Sequence, residues 1–188
     1  YLVDPDRKRE LLSYLIRNRD LHQVLVFCRT KQMTRRLASQ LDRGGVEATA
    51  IHGDRTQPER ERALEAFKSG EVRVLVATDV AARGLDIEDL PVVVNFEISY
   101  DPEDYVHRIG RTGRAGKEGL ALSLVSFEDE EQLKAINRLL KRDLPVRQVR
   151  GFEVDPASRA VRGSARGGRG RGAPRGAGGR GAPRRGRR

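Results

Sequence analysis

The chain is poor in the residues that staple or oxidise: 188 residues hold one cysteine, one methionine and no tryptophan. A lone thiol forms no internal disulfide, so a disulfide-built secreted scaffold is excluded and a reducing compartment, the cytoplasm, is expected. Cys28 closes the apolar run Val24–Cys28, and its neighbours make it a core residue rather than a nucleophile. No apolar run approaches the ~18–20 residues a membrane-spanning helix needs. No signal peptide opens the chain, which begins at Tyr1 rather than Met, and an upstream segment is expected to be missing. A Cys/His cluster for zinc is lacking, so no metal site is expected. The phosphate-cradling Gly-x-x-x-x-Gly-Lys-Ser/Thr loop is also lacking, because the single Gly-Lys pair, Gly116-Lys117, is followed by Glu118.

Acidic residues are lacking in one place. The net charge is +10 from 37 Lys+Arg and 27 Asp+Glu. Eleven of the arginines lie from Pro156 onward with no acid beside them, leaving 26 cations against 27 acids in residues 1–155. The first part is close to neutral, and the excess charge points the tail toward an anionic polymer. From Arg162 the composition is Arg and Gly with Ala and Pro, too poor in apolar area to offset chain entropy, so residues 162–188 are expected to be disordered and to bind RNA. Residues 1–150 are expected to form the folded domain and 151–161 a linker.

What is present in the first 150 residues is alternation. Apolar, β-branched runs at Val24–Cys28, Glu47–Ile51, Val72–Ala77, Val92–Phe96, Leu120–Val125 and Val146–Val149 predict strands. Between them, amphipathic spacing predicts helices over Arg7–Arg17, Lys31–Leu41, Pro58–Lys68, Pro102–Ile109 and Asp129–Leu140. Strands apolar throughout and separated by helices predict an α/β domain with a parallel sheet covered on both faces. Ligands on such sheets gather at the carboxyl ends of the strands. Arg29-Thr30, His52-Gly53-Asp54 and Thr78–Asp86 each follow a strand, and His107–Arg114 closes the helix after the fourth. All four are expected at one edge of the sheet, in one shared site.

The segment His107–Arg114 reads His-Arg-Ile-Gly-Arg-Thr-Gly-Arg. Arginines match phosphate oxygens and stay charged, and glycines allow close approach, so Arg111 and Arg114 read as a phosphate clamp. An arginine placed on a transferring phosphoryl group raises rates by ~10³–10⁵. Asp79 suits a turn cap, Asp86 suits a sugar hydroxyl, and Arg83 has a local salt bridge as its plain alternative. Thr56 and Pro58 account for the start of a helix, leaving Gln57 and Arg60 as candidates for contacting a second domain. Fingers without a cradle make half an active site.

These stretches resemble the second, C-terminal RecA-like lobe of DEAD-box ATP-dependent RNA helicases. Val24–Thr30 looks like motif IV, His52-Gly53-Asp54 with Gln57 and Arg60 like motif IVa, Thr78–Asp86 like motif V, and His107–Arg114 like motif VI. The closing Leu144–Pro156 and the Arg/Gly tail are similar to the bacterial RhlE branch. The resemblance implies that Arg111 and Arg114 reach the γ-phosphate of ATP, held with Mg²⁺ mainly by lobe 1. It implies that Asp86 binds the ribose with Gly84 beside it, and that Thr30, Gly53, Thr78 and Arg83 hold RNA. Gln57, Arg60 and His107 would couple the lobes. Lobe 1, RNA and ribosome- or RNA-decay-associated proteins are the implied partners, and the chain alone is expected to be inactive. A non-enzymatic RNA-annealing module driven by the tail is the alternative, and a DNA-helicase lobe a third reading.

Overall fold

The computed structural model describes residues 1–87, 89–113, 116 and 118–156. Residues Tyr1–Asp155 form one compact unit. The tail expected over 162–188 lies outside the described residues.

Five short parallel strands build the sheet: β1 Val24–Phe27, β2 Ala48–Ile51, β3 Val74–Ala77, β4 Val92–Asn95 and β5 Leu120–Ser123, in the order β2-β3-β1-β4-β5. The three central strands are buried at every position. Among the described residues, six α-helices accompany the strands: α1 Lys8–Asn18 before β1, α2 Lys31–Arg43, α3 Gln57–Ser69, the single turn α4 Asp79–Ala82, α5 Pro102–Ile109 and α6 Glu130–Leu140. This is the α/β architecture with a parallel sheet that the alternating runs predict, in the RecA-like form that the resemblance implies.

Because side chains alternate across a strand, β1 divides its core between the two faces. Val24, Val26 and Cys28 pack with Leu11, Leu15, Leu37 and Leu41 under α1 and α2. Leu25 and Phe27 pack with Phe67, Ala81, Ile87 and Leu90 on the other face. Full burial of such a side chain contributes about 1.5–3 kcal/mol. A smaller cluster of Ile98, Tyr105, Val125 and Ile136 joins α5 to α6 beside β5.

One expected strand is absent. Val146–Val149 lies outside any ladder, with Val146 56% exposed. Pro145 precedes it, and the place beside β5 is taken by the start of the chain. Tyr1 and Val3 exchange backbone hydrogen bonds with Val125, while Arg147 contributes only its carbonyl, to Leu2. Val149 and Phe152 instead pack against the core near α1, where the Phe152 ring meets Tyr14 and Arg7. The turn α4 was not expected, because four residues carry no periodicity; its cap, Thr78, makes it.

Candidate nucleotide and RNA surfaces

Three of the expected segments do start along the carboxyl edge. Thr30 is exposed and caps α2, its Oγ1 accepting the Met33 N–H at 3.1 Å. Gly53 is exposed after β2, with open space where a Cβ would stand. Thr78 is buried after β3, its Oγ1 facing the Ala81 N–H at 3.4 Å. Helix amino ends carry unpaired N–H groups and a positive dipole, so this edge is suited to phosphates. Exposed Lys31, Arg35 and Arg36 add charge to it.

His52, beside Gly53, is buried, and its Nδ1 accepts the Asp54 N–H at 3.3 Å. Its pKa lies below the ordinary histidine value, first because burial penalises the cation and then because Arg55, Arg35 and Lys31 repel it, against the pull of Asp54. Burial likewise pushes the Cys28 thiol far up, with Glu97 adding to it, so the residue is an inert core thiol.

The fourth segment begins beside that edge, where Arg108 meets Asp79 and the Glu97 carbonyl, but its far end at Arg111 and Thr112 leaves it, which corrects the expectation of a single shared site. A helix joining two parallel strands runs antiparallel to both, so the end of α5 is delivered toward the amino edge. Leu90, two residues before β4, donates its N–H to the Arg111 carbonyl at 3.0 Å and bridges Thr112. Along the same strip, Arg111 Nη1 lies 3.5 Å from the Leu85 carbonyl. Leu85 sits between Gly84, which has a left-handed φ of 80°, and Asp86. Asp86 is 93% exposed and meets Lys68, near the end of α3, at 3.0 Å. Gly84, Asp86 and Arg111 therefore form one surface, and Thr30, Gly53 and Thr78 another.

Arg83 and His107 lie between the two. They line a small pocket with Phe27, Asp104, Arg108 and Arg111. Arg83 forms the local salt bridge named as its plain alternative, to Asp104 at 2.6 Å, and His107 is exposed. Gln57 is exposed and bonds Glu61 along α3. Arg60 points inward instead, donating to the Ala81 carbonyl at 3.2 Å, so Gln57 and Arg60 do not face the same way. Arg114 lies outside the described residues.

The structure adds a residue that the motif did not single out. Arg108 is 2% exposed and donates through Nε and Nη2 to both oxygens of Asp79, at 2.6 and 2.7 Å. Its Nη1 donates to Asn95 Oδ1 at 3.0 Å and to the Glu97 carbonyl at 2.7 Å. Asp79 is thus an ion-pair partner rather than the turn cap expected, the cap being Thr78. The Asp79–Arg108 pair spans 29 positions, so no local pattern could show it.

A parallel sheet of this order, with an arginine-bearing helix end beside a Gly-x-Asp strip, is that of a RecA-like lobe. Residues 7–116 match the family described as "Helicase conserved C-terminal domain". The chain is 48% identical over 142 residues to the DEAD-box ATP-dependent RNA helicase CshA of Bacillus cereus, covering 76% of this chain and 27% of the relative. Among solved structures, the Escherichia coli DEAD-box protein SrmB, bound to the regulator of ribonuclease activity A, superposes with a TM-score of 0.77 at 36% identity, covering 81% and 91% of the two chains. Saccharomyces cerevisiae Dbp5 bound to RNA and ADP BeF3 gives 0.70 at 33% identity, covering 79% and 40%. The chain belongs to the DEAD-box RNA helicases, as their C-terminal RecA-like lobe, and spans about a quarter of the length of the Bacillus relative.

Proposed function

We propose that this lobe serves an ATP-dependent RNA helicase, with one surface for RNA and another for the nucleotide. The observation that carries the reading is the contrast between two neighbouring arginines. Arg108 is buried and holds Asp79, whereas Arg111 is half-buried, and its guanidinium's hydrogen bond among the described residues is to the Leu85 carbonyl at 3.5 Å. A guanidinium held that loosely, one residue from an exposed carboxylate, suits a triphosphate brought by another domain. The donors fit such a substrate: Arg111 and, by motif, Arg114 for the γ-phosphate, and Asp86 beside Gly84 for the ribose. Mg²⁺ would be held by lobe 1, since these residues offer it no carboxylate pair.

Along the carboxyl edge, Thr30, Gly53 and Thr78, with Arg83 between the surfaces, would hold RNA phosphates. Gln57, Arg60 and His107 would couple the lobes. Closure on ATP would strain a short duplex, and hydrolysis would release it. By this reading the chain alone is inactive, its site being completed by lobe 1. Ribosome- or RNA-decay-associated partners, a cytoplasmic location and an RhlE-like subfamily belong to the same proposal. In a two-lobe protein, Arg111→Ala and Arg114→Ala should each cut RNA-stimulated ATP turnover by ~10³-fold or more while RNA affinity stays within a few-fold. Unchanged turnover would defeat the finger role.

The charge asymmetry favours one second reading, an RNA-annealing module in which the tail supplies most affinity. It requires log K to fall with log[salt] with a slope of roughly 0.7 per phosphate neutralised. Full affinity at low salt after deletion of residues 156–188 would dispose of it.

A further inference from the structure

We propose that Tyr100 is a stacking platform for one base of an RNA strand lying on the carboxyl edge; this rests on the RNA surface proposed above. Tyr100 follows β4, next to β1 in the sheet, and is 71% exposed although Ile98 and Ser99 before it are buried. A large aromatic ring left in water at a rim of helix amino ends and cations calls for an occupant.

The ring is held in place rather than loose. Ser99 Oγ accepts the Asp101 N–H at 3.3 Å, and the Asp101 carboxylate accepts the Glu103 N–H at 2.9 Å, fixing the backbone on the C-terminal side. The Arg29 guanidinium lies 4.5 Å from the ring centroid. Arg29 is itself held, with Nε 3.6 Å from Glu97, its backbone N–H donating to the same carboxylate at 2.9 Å, and Nη2 4.0 Å from Asp129. A cation thus lies against the ring, and the residue is still 71% exposed.

Local charge favours a base over a phosphate at this point. Glu97 is engaged by Arg29, Asp101 by the α5 cap and Asp104 by Arg83. Arg29 is spent within that group, while Glu103 stays exposed. Among the described residues beside the ring, the cations Arg29 and Arg83 are already paired, while an uncharged π-face finds a flat partner there. Every base has such a face, so the contact would be tolerant of sequence. The exposed cations Arg35 and Arg36, with Lys31 paired to Asp54 at 2.9 Å, lie instead on α2, which begins directly after Arg29 and Thr30. A strand whose phosphates follow the Thr30 end of α2 would bring a base to Tyr100.

The test compares a ten-nucleotide oligoadenylate with an abasic ribose-phosphate strand of equal length, binding to the two-lobe helicase. Tyr100→Ala should weaken the oligoadenylate on the order of tenfold and leave the abasic strand unchanged. Tyr100→Phe, which keeps the π-face, should bind like the parent. Equal loss on both strands, or no loss on either, overturns the platform while leaving the phosphate surface standing. A parent protein that binds neither strand at low salt overturns the RNA surface and the platform together. Loss of turnover with both affinities unchanged would make Tyr100 a contact to lobe 1 instead and would also overturn the proposal.

Discussion

Arg108 grips both carboxylate oxygens of Asp79 while its remaining nitrogen reaches Asn95 and the Glu97 carbonyl, tying α5 to α4 and to β4. The pair fixes the helix whose end carries Arg111. Removing one partner of a buried pair leaves an uncompensated charge, so Asp79→Asn should cost about 3–5 kcal/mol in urea unfolding. A loss below about 1 kcal/mol would show the pair to be dispensable.

A second buried pair sets the acid limit. Lys8 Nζ lies 2.8 Å from Asp129, both nearly inaccessible, and Ser126 donates its N–H and hydroxyl to the same oxygen. Burial opposes ionisation of Asp129, but Lys8 and Ser126 outweigh it and hold the carboxyl below its ordinary range. A depressed folded pKa gives stability that is present above the unfolded value of about 4 and is lost as pH falls through the folded one. Asp129→Asn should therefore be less stable than the parent at pH 7, and the difference should shrink below about pH 4. Denaturation midpoints across pH 2–7 measure it.

His52 should titrate below the free-histidine value of about 6.5. Its folded pKa is depressed by burial, so the unfolded chain takes up the proton first and stability falls as pH drops below that value. Ring-proton NMR shifts read the midpoint, and a midpoint above 6.5 would contradict the assignment of Nδ1 as acceptor from Asp54.

Gly119 governs the loop below Arg111. A Cβ there would collide with the Gly113 backbone and the Thr112 hydroxyl, and Thr112 is anchored on the Leu90 carbonyl. Gly119→Ala should displace Thr112 and Gly113 and lower ATP turnover in the two-lobe protein at least tenfold, more than it lowers RNA affinity, because the Thr30 surface is remote from it. Equal effects on both would show general unfolding, which far-ultraviolet circular dichroism would register.

The parallel sheet was legible because its central strands are apolar at every position and its helices keep their spacing; β1 to β5 all fall within the expected runs. Val146–Val149 misled, since a β-branched run has no strand where the neighbouring edge is already filled. Thr30, Gly53 and Thr78 lie where residues following parallel strands must lie. Asp79–Arg108 and Arg29–Tyr100 were invisible, because each joins residues far apart in the chain and neither end carries a distinguishing local pattern.

Sequence alone determined the fold class, the helix starts at Thr30 and Thr56, and the arginine-rich motif, since each rests on periodicity or on neighbours a few positions apart. Tertiary structure decided that the residues proposed for RNA and those proposed for the nucleotide occupy two surfaces, because only the antiparallel return of α5 carries Arg111 away from the carboxyl edge. It also decided that Arg108 is buried and Arg111 only half-buried, since burial depends on packing partners that the linear order does not name.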